Sequence, residues 1–471
     1  MGEVNRISLC EERSAKAVAA VSAASAAYRN ENGRAPRAFV LTFGCQQNVA
    51  DSQRIKGMLA EMGFGFTEEA AQADLILFNT CAVREHAQDR VFGNIGALKK
   101  LKAEKAHLKL ILCGCMVQQP TVAAKIKNSY PIVDMVLGTH VLHRFPELLW
   151  GAMTRRRTVE IPDMDGVIAE GLPVYREDTY KAFLPIMYGC NNFCTYCIVP
   201  YVRGRERSRD PELIVNEARA LIASGCKEIT LLGQNVNSYG KGEAHGVDFP
   251  DLLRRINDIE GDFIIRFMTS HPRDASKKLF DTIAACPKVE RHIHLPFQSG
   301  SDRIQKEMNR HYTRAQYLEL IDYARRVIPD VVFTSDVIVG FPGETREDFE
   351  QTLSLIEQVG FISLYTFIFS PREGTPAAGM PDPIPAKEKS AWFKEMTDLQ
   401  ETLSEKQIGP MVGTVRRGLI DRYEKGMLEV RLPENLVVRA PGEPDSVGHM
   451  ATVKITGARS YLLTGEIQTQ E

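Results

Sequence analysis

The chain has 471 residues, a length that accommodates about three domains of ordinary size. Hydrophobic residues make up 44% and charged residues 25%, which excludes a disordered or fibrous protein. The formal charge of −2 excludes a surface coated in basic residues, although local basic patches stay compatible with nucleic-acid binding.

Neither a membrane span nor a signal peptide is evident. No apolar run reaches the roughly 18 residues that a membrane span needs. The Ala-rich start of the chain is interrupted by charged residues such as Glu11, Glu12 and Lys16, unlike a signal peptide. The 10 cysteines lie in motif-like spacings, which favours metal or cluster ligation over disulfides. We therefore expect a cytoplasmic protein with no membrane attachment.

The first part of the chain predicts a leader followed by a parallel α/β domain. Residues 1–36 form the variable leader, with one helix expected over 14–27. Strands are then predicted over 38–45, 73–81 and 108–115, with helices over 51–62 and 84–105. Short apolar strands that alternate with helices indicate a parallel sheet. We assign residues 37–150 to this N-terminal α/β domain.

Each of these strands ends in a cysteine, Cys45, Cys81 or Cys115. The carboxyl ends of parallel strands lie along one edge of a sheet, so the three thiols are expected to converge there. Cys113 competes for the third position, but the Gly-Cys ending shared by the first and third strands places Cys115 at the edge. The alternative is that all three are ordinary buried cysteines.

Residues 151–182 have few apolar runs and are predicted to be a linker, after which alternation resumes over residues 183–406. Six strands are predicted over 183–189, 228–235, 263–270, 292–298, 331–341 and 364–370. Helices are predicted over 211–224, 247–259, 274–285, 301–308, 313–327, 346–358 and 386–406, with a capping-box-like start at Thr345. Six β/α units fit an incomplete (β/α)6 barrel, with chemistry at the carboxyl ends of its strands.

Residues 409–471 contain five short strands separated by Gly- or Pro-bearing turns. This pattern favours a small antiparallel β-barrel of the oligonucleotide-binding kind. Its basic residues form either a nucleic-acid face or part of a mixed solvated surface: Arg416, Arg417, Arg422, Arg431, Arg439, Lys454 and Arg459.

The segment GCNNFCTYC places Cys190, Cys194 and Cys197 within one loop at the end of the first barrel strand. Thiolates are soft ligands that suit iron–sulfur clusters or zinc. A zinc ion would need a fourth ligand, and neither Cys226 nor His292 has ligand-like spacing with the motif. Three thiolates on a [4Fe–4S] cluster leave one iron open for a small molecule, which is the interpretation we favour.

The run CNNFCTYC resembles the cluster-binding motif of radical S-adenosylmethionine enzymes. Other segments look like the methylthiotransferases of that superfamily: TFGCQQN (42–48), NTCAVRE (79–85), GCMVQ (114–118), LLGQNVNSYG (231–240), HLPFQSGS (294–301), IVGFPGET (338–345) and SPREGTPAA (370–378). LLGQNVNSYG and VPYVRGRERSR (199–209) are most similar to the branch that acts on isopentenyl-adenosine at position 37 of tRNA. The resemblance runs from about residue 37 to the C-terminus and implies an α/β domain, a radical core and a C-terminal TRAM barrel.

The resemblance implies two [4Fe–4S] clusters and S-adenosylmethionine as cofactors. Cys190, Cys194 and Cys197 would hold the cluster that generates a radical from S-adenosylmethionine. The strand-end cysteines would hold a second cluster that carries the inserted sulfur. We expect Cys10, Cys113, Cys226 and Cys286 not to be ligands.

Contacts with S-adenosylmethionine are also implied by the resemblance. We expect them from Tyr196, Gly233, Gln234, Asn235, Gln298, Ser299, Gly340, Arg203 and Arg205. The alternatives are plain turns for the glycines and structural ion pairs for the arginines. Four histidines are expected to be hydrogen-bonded packing residues and not ligands: His271, His292, His294 and His311.

The implied activity is methylthiolation of C2 of N6-isopentenyladenosine-37 in the tRNA anticodon loop, whose bases can be splayed out for chemistry. The same chemistry on threonylcarbamoyl-adenosine-37 or on an aspartate of a ribosomal protein is a second possibility. A non-catalytic iron–sulfur RNA-binding regulator is a third. We expect a monomer that depends on an electron donor and a sulfur source, neither of which the sequence identifies.

Overall fold

The computed structural model describes residues 6–8, 12–82, 85–154, 157–162 and 167–470. The chain divides into two compact units. The first unit comprises Met1–Glu177, Tyr188–Asn191 and Ile198–Arg207, and the second comprises Asp178–Met187, Asn192–Cys197 and Ser208–Glu471. The division of the chain into five segments, from leader to C-terminal domain, stays a prediction.

The first unit is built on a parallel six-stranded sheet. Its elements are β1 (Arg6–Ser8), α1 (Glu12–Asn32), β2 (Arg37–Phe43), α2 (Gln46–Glu61), β3 (Gly65–Phe66), β4 (Leu75–Thr80), α3 (Glu85–Glu104), β5 (Lys109–Gly114), α4 (Pro120–Ser129), β6 (Met135–Leu137), α5 (Phe145–Thr154), β7 (Thr158–Glu160) and β8 (Ile168–Glu170). The strand order is β3-β2-β4-β5-β6-β7, and β1 pairs separately with β8. The predicted α/β domain is confirmed.

Alternation of side chains along β4 divides the core of this unit into two layers. Leu75 and Leu77 pack into one apolar cluster, whereas Ile76 and Phe78 pack into the cluster on the opposite face of the sheet. A strand buried on both faces is typical of a parallel sheet covered by helices. Successive apolar residues therefore form this strand without polar alternation.

Two segments contribute more to this unit than the sequence predicted. Helix α1, assigned to a variable leader, places the fully buried Val21 in the same cluster as the sheet. The predicted linker contains β7, which pairs in parallel with β6, so residues 158–160 are part of the sheet and not of a linker. A three-residue strand is too short to show a periodic pattern, which explains the omission.

Residues 181–208 belong partly to each unit. They form β9 (Lys181–Pro185), β10 (Met187–Tyr188), α6 (Val199–Arg203) and β11 (Arg207–Ser208). The cysteine loop 190–197 lies between β10 and α6. The loop is therefore fixed at both ends by short regular elements.

The second unit begins with six parallel strands and their helices. After β9 come α7 (Pro211–Ala223), β12 (Glu228–Leu232), α8 (Phe249–Asn257), β13 (Ile264–Phe267), α9 (Lys277–Ala285), β14 (His292–His294), α10 (Asp302–Glu307), α11 (Arg314–Val327), β15 (Val332–Val339), α12 (Arg346–Val359), β16 (Ser363–Ile368) and α13 (Ala386–Ile408). The strands form the sheets β9-β12-β13 and β14-β15-β16, and a parallel bridge joins Ile265 of β13 to Val289, three residues before β14. The incomplete six-unit barrel and the capping box at Thr345 are confirmed.

The C-terminal strands close into a barrel in the order β17-β18-β19-β21-β20. Their bounds are β17 (Val415–Glu424), β18 (Met427–Arg431), β19 (Val437–Pro441), β20 (Met450–Arg459) and β21 (Leu462–Gln470). Three of the predicted basic residues are ion-paired at 2.7–3.0 Å: Arg417 with Asp262, Arg431 with Asp421 and Arg439 with Glu429. The small barrel is confirmed, whereas its nucleic-acid face stays a prediction.

Among the helices that the structure describes, none combines the length and the apolar composition of a membrane span.

Candidate metal centres

Cys45, Cys81 and Cys115 follow the ends of three neighbouring strands of the first unit. Strands β2, β4 and β5 are adjacent, and their registers pair Phe43 with Thr80 and Thr80 with Gly114. The Cys81 amide also donates to the Phe43 carbonyl at 2.8 Å. The pairing therefore brings the three cysteine positions to one edge of the sheet, as the sequence predicted.

The glycine before Cys115 lets the chain turn sharply at this edge. Gly114 has φ +96°, and a Cβ built there would lie 2.4 Å from Asn79 Oδ1 and 2.5 Å from the Thr80 carbonyl oxygen. Any other residue would collide with the neighbouring strand and adopt a strained backbone. This requirement explains the glycine of the third Gly-Cys ending.

A buried polar network supports the edge from below. Asn48 Nδ2 donates to Asn79 Oδ1 at 2.8 Å, and Asn79 Nδ2 donates back to the Asn48 carbonyl at 2.8 Å and to Ser52 Oγ at 2.9 Å. The Cys45 thiol donates to Asn48 Oδ1 at 3.3 Å. Because buried amides are costly to leave unpaired, this network fixes the start of α2 against β4.

The electrostatics of Cys115 reflect its neighbours. Burial raises the pKa of the Cys115 thiol to about 12, nearby Arg203 lowers it, and Cys81 and Cys45 raise it further. Cys81 and Cys115 are 3% and 6% exposed, whereas Cys45 is exposed, so the site opens to solvent at Cys45. A metal or cluster held by these cysteines would require thiolates, so its binding would release protons.

Arg203, the last residue of α6, reaches this edge. Its Nε donates to Cys115 Sγ at 3.0 Å, and its Nη1 forms an ion pair with Asp51 at 2.7 Å. The arginine is 5% exposed. In the structure this side chain therefore binds the third strand-end cysteine; its predicted contact with S-adenosylmethionine stays a prediction.

A small cavity of about 30 Å³ lies beside Arg203 in the first unit. Basic side chains form much of its lining: Arg54, His140, His143, Arg203 and Arg207. A space of this size admits roughly two water molecules. Asp51 also lines the cavity and pairs with Arg203, so charged side chains of both signs flank the edge that carries Cys115.

The loop 190–197 is shaped by a glycine at its entrance. Gly189 has φ +77°, and a Cβ built there would lie 2.0 Å from the Arg205 carbonyl oxygen. Cys190 N donates to the Gly204 carbonyl at 3.1 Å, and Cys197 N donates to the Cys194 carbonyl at 2.9 Å. Only glycine permits this close approach, so the motif needs the residue before its first cysteine.

Two buried basic side chains lie against Cys194. Arg310 Nη1 is 3.7 Å and His271 Nε2 is 4.0 Å from Cys194 Sγ. Burial, followed by the charges of Arg310 and Arg273, lowers the pKa of His271, so its ring is neutral. Since His271 Nδ1 accepts a bond from the Arg273 amide at 3.2 Å, the ring proton is on Nε2 and points to the sulfur. Cys194 therefore has two potential N–H donors.

Tyr196 packs inside the second unit between the cysteines of the loop. Its hydroxyl accepts a bond from Arg310 Nη1 at 3.1 Å, and its ring contacts the cluster that contains Ile304, Met308 and Phe341. Arg310 also donates to Tyr312 and to the Pro296 carbonyl. The arginine thus connects the loop to the segment before α11, a role that no sequence motif indicated.

The residues predicted to contact S-adenosylmethionine lie after the carboxyl ends of the barrel strands. After β12, Asn235 Nδ2 donates to Asp274 at 2.7 Å, and Gly233 faces Met187 so closely that a Cβ would lie 2.5 Å from its Cγ. Gln234 lies between them, half-buried. These positions match the predicted strand end, while their ligand contacts stay a prediction.

The later strand ends carry the remaining predicted residues. Gln298, with φ +68°, and Ser299 are buried after β14, and the Gln298 amide donates to the Asp336 carbonyl at 2.9 Å. Gly340 follows β15, and its amide donates to Glu344 at 2.6 Å. Arg205 lies on an exposed stretch after α6.

Strand β16, the last strand of the incomplete barrel, carries two exposed aromatic side chains, Tyr365 and Phe367. Tyr365 and Phe367 of β16 pair in register with Asp336 and Ile338 of β15, whereas Leu364 packs with the core beneath the helices. Because side chains alternate along a strand, Tyr365 and Phe367 face the inside of the barrel. They are 46% and 48% exposed. Sequence reasoning missed this pair.

The remaining cysteines and histidines behave as packing residues. Cys113 is buried inside β5, and the Cys226 thiol donates to the Glu228 carbonyl at 3.1 Å. His292 and His294 share the Thr334 hydroxyl at 2.7 and 2.9 Å. Cys10 lies outside the described residues.

The donor chemistry of both sets fits an iron–sulfur cluster, because thiolates are the ligands that such clusters take. Among the residues that the structure describes, no three His, Cys, Asp or Glu side chains are placed to hold one metal ion. A [4Fe–4S] cluster binds each thiolate through a different iron, so its ligands stand farther apart than those of one ion. Two sets of three cysteines, one in a loop and one at a sheet edge, suit this arrangement.

Family models match both the N-terminal α/β domain and the incomplete barrel of this chain. The family model of the radical SAM superfamily matches residues 184–356, and that of the uncharacterized protein family UPF0004 matches residues 37–138. Curated relatives are named tRNA-2-methylthio-N(6)-dimethylallyladenosine synthase. The protein from Caldicellulosiruptor saccharolyticus is 49% identical over 93% of this chain and 94% of its own length. The protein from Thermoanaerobacter pseudethanolicus is 48% identical over 90% and 91%.

A solved structure supports the fold alone. The radical S-adenosylmethionine methyltransferase TsrM from Kitasatospora setae has a TM-score of 0.54 and 13% identity, over 73% of this chain and 77% of that protein.

Proposed function

The chain belongs to the family of tRNA-2-methylthio-N(6)-dimethylallyladenosine synthases, and we propose that it methylthiolates C2 of N6-isopentenyladenosine at position 37 of tRNA. Isopentenyl and dimethylallyl name the same substituent here, and the product is 2-methylthio-N6-isopentenyladenosine. The enzyme is a radical S-adenosylmethionine methylthiotransferase whose cofactors are two [4Fe–4S] clusters and S-adenosylmethionine.

The observation that carries the proposal is the presence of two separate sets of three thiols. In our proposal Cys190, Cys194 and Cys197 hold one cluster, and Cys45, Cys81 and Cys115 hold the other. When bound, the first supplies a 5′-deoxyadenosyl radical from S-adenosylmethionine and the second supplies sulfur. Such chemistry suits an adenine C2–H. This position is neither acidic nor electrophilic, so side-chain acid–base catalysis offers no easy route to its substitution.

The chain's own residues position these groups. The sheet register holds the strand-end thiols at one edge, and the Asn48–Asn79 network keeps that edge rigid. Arg310 and the neutral His271 offer N–H groups to Cys194, which stabilises a thiolate there. The ring of Tyr196 packs against the apolar cluster beside the loop.

The aromatic pair on β16 supplies a surface for the substrate. Tyr365 and Phe367 present exposed rings on the inner wall of the barrel, and the Tyr365 ring lies 5.5 Å from His294 at 79°. Single-stranded bases are recognised by stacking on such rings. We propose that the modified adenine or its neighbour stacks here, with its apolar prenyl group directed into the barrel.

The setting of the activity is also part of the proposal. We propose that the protein works in the cytoplasm, where tRNA and reduced thiols are found, and that it acts as a monomer. An electron donor and a sulfur source must serve it, because the reaction consumes both electrons and sulfur. Light scattering of the purified full-length protein tests the monomer directly.

An anaerobic assay with synthetic RNA tests the activity. The full-length protein, reconstituted with iron and sulfide, is incubated with dithionite, S-adenosylmethionine and an anticodon stem-loop carrying isopentenyladenosine-37. Mass spectrometry should detect 5′-deoxyadenosine together with 2-methylthio-isopentenyladenosine.

Matched stem-loops separate the alternatives. Unmodified adenosine-37 and threonylcarbamoyl-adenosine-37 should remain unchanged in the same assay. Methylthiolation of the threonylcarbamoyl substrate alone would refute the substrate, and the absence of 5′-deoxyadenosine with a fully loaded protein would favour the non-catalytic regulator.

A further inference from the structure

One hydrogen bond in the first unit has no role in the activity described above. Arg203 Nε donates to Cys115 Sγ at 3.0 Å, a closer approach than those of Arg310 and His271 to Cys194 Sγ at 3.7 and 4.0 Å. Nη1 is held by Asp51 at 2.7 Å, and Gln47 donates to the same carboxylate at 3.2 Å. Arg203 and Asp51 are 5% and 6% exposed, so the guanidinium is fixed in one orientation.

A buried arginine in this position needs an explanation. Removing a guanidinium from water costs several kcal/mol unless charged partners compensate. Asp51 provides one negative charge, but the buried Nη2 has no hydrogen-bond partner among the residues that the structure describes. The guanidinium is therefore incompletely satisfied by the protein, and its Nε–H is directed to a sulfur that becomes a thiolate when iron binds.

We propose that Arg203 is a positioning residue that orients Cys115 toward the strand-edge cluster and raises the reduction potential of that cluster. The inference rests on the proposed function, because it takes Cys115 to be a ligand. Hydrogen bonds to ligand sulfurs and nearby positive charge stabilise the reduced form, which carries one more negative charge. An Arg is suited to this role since it stays protonated when buried and its rigid fork binds Asp51 and the sulfur together.

The position of Arg203 in the chain gives the bond a further consequence. It lies six residues after Cys197, in the segment that continues directly from the loop of the other set. The segment that follows one set of cysteines thus supplies the donor to the other set. The chemistry of the strand-edge cluster is therefore set by a residue that belongs to the first unit but lies outside residues 37–150, which carry the three cysteines.

A redox titration of the intact protein tests this role. The full-length protein is loaded anaerobically, and the reduction of its clusters is followed by electron paramagnetic resonance in the wild type, Arg203→Gln and Arg203→Lys. We expect the strand-edge cluster of Arg203→Gln to have a lower midpoint potential. The reduced-to-oxidised ratio at a fixed potential should fall about tenfold, equivalent to about 59 mV for one electron. Arg203→Lys keeps the charge but not the Nε–H and should fall between the two.

Two control variants show whether a change in midpoint potential is specific to Arg203 and to the strand-edge cluster. Arg29→Gln removes an exposed arginine from α1 and should leave both potentials unchanged. Arg310→Lys alters the donor to Cys194 and should move the potential of the loop cluster alone. An Arg203→Gln protein with normal iron content and an unchanged potential would overturn the proposal. If Arg203→Gln fails to load iron, Arg203→Lys decides: a wild-type potential in that variant overturns the proposal equally.

A ligand variant keeps this test separate from that of the proposed function. Wild-type protein should bind about eight irons per chain and Cys115→Ala about four. If Cys115→Ala retains both redox transitions, the ligand assignment and the inference fail together. If it loses one transition while Arg203 variants change nothing, the proposed function stands and only the role of Arg203 is refuted.

Discussion

In the loop 190–197, five intervening residues bring three thiols together, whereas at the strand edge the three thiols depend on the pairing of β2, β4 and β5. The loop needs a left-handed glycine and a buried arginine to take its shape. The edge needs the correct register of a whole sheet, because a slip of one residue would turn a cysteine away from its neighbours. Three thiols are therefore brought together by a short stretch of sequence in the loop, and by the tertiary fold of the sheet at the strand edge.

The two sets share one feature despite this difference. Each has a buried arginine that points an N–H at one sulfur, Arg310 toward Cys194 at 3.7 Å and Arg203 toward Cys115 at 3.0 Å. Arg310 is bound otherwise by neutral groups, the hydroxyls of Tyr196 and Tyr312. Arg203 is bound by a carboxylate. The environments differ in charge, so the two clusters are expected to differ in reduction potential.

The largest effects should come from adding one methyl group to either glycine. Gly114→Ala places a Cβ 2.4 Å from Asn79 Oδ1 and should break the strand edge, whereas Gly189→Ala places one 2.0 Å from the Arg205 carbonyl and should break the loop. Each should cost roughly 3 kcal/mol of stability, because backbone must move and φ is strained. Iron analysis should show about half the iron in each variant.

The activities of the two variants should then differ. Gly114→Ala should still cleave S-adenosylmethionine but not methylthiolate RNA, whereas Gly189→Ala should do neither. Gly93→Ala, at an open helical position in α3, is the control and should be neutral or slightly stabilising. Full iron content in Gly114→Ala or Gly189→Ala would contradict the geometric account.

A smaller effect on stability should follow the ionisation of Glu344. This residue accepts a bond from the Gly340 amide after β15, in the incomplete barrel. Burial raises the pKa of Glu344 to about 7 from its ordinary 4.5, although the Gly340 and Phe341 amides oppose the shift. The folded protein thus binds this proton more tightly than the unfolded chain, so stability falls as pH rises from about 4.5 to 7 and is level above that range. The loss should be about 3 kcal/mol, because each unit of pKa difference corresponds to about 1.4 kcal/mol.

Glu344→Gln removes this dependence. The amide oxygen can still accept from Gly340, and its NH₂ group takes the place of Oε1, which has no partner in the structure. The variant should match wild type near pH 4 and exceed it by about 3 kcal/mol at pH 8. Hydrogen exchange of amides 338–345, corrected for the intrinsic effect of pH, measures the difference. Equal protection of variant and wild type at both pH values would contradict the assignment.

The smallest effect should be on the affinity for RNA. We expect Tyr365 and Phe367 on the inner wall of the barrel to bind RNA independently of the strand-end cysteines. Tyr365→Ala and Phe367→Ala should each weaken binding of the anticodon stem-loop about tenfold, since loss of one stacked base costs about 1–3 kcal/mol. Cleavage of S-adenosylmethionine without RNA should be unchanged. Fluorescence anisotropy measures the affinity.

Conservative variants make the stacking test specific. Tyr365→Phe and Phe367→Tyr keep the ring and should bind RNA nearly as the wild type does. If the alanine variants bind equally well, stacking on this wall is refuted, and a loss in all four variants would indicate a structural effect.

Periodic features were accessible from the sequence. The three strand ends, the six β/α units and the five-stranded barrel were predicted because their apolar patterns persist over many residues. The choice of Cys115 over Cys113 was also correct in placing Cys113 inside β5 and Cys115 after it. A shared Gly-Cys ending was sufficient for that choice, since Gly114 can turn the chain where other residues cannot.

Tertiary contacts were not accessible. Arg310 lies 116 residues from Cys194 along the chain and belongs to no motif, so its contact appears only in the fold. Arg203 was predicted to contact S-adenosylmethionine, and its partners Asp51 and Cys115, which are 152 and 88 residues away, were not predicted. The exposure of Tyr365 and Phe367 could not be predicted either, because the sequence of an apolar strand does not show which of its faces is exposed.

The division of labour between the two sets of cysteines is tested most directly by one pair of variants in one assay. Cys45→Ala and Cys194→Ala are loaded anaerobically and incubated with reductant, S-adenosylmethionine and the isopentenylated stem-loop, and products are quantified by mass spectrometry. Cys45→Ala should form 5′-deoxyadenosine without methylthiolated RNA, and Cys194→Ala should form neither. Normal methylthiolation by Cys45→Ala would contradict the account.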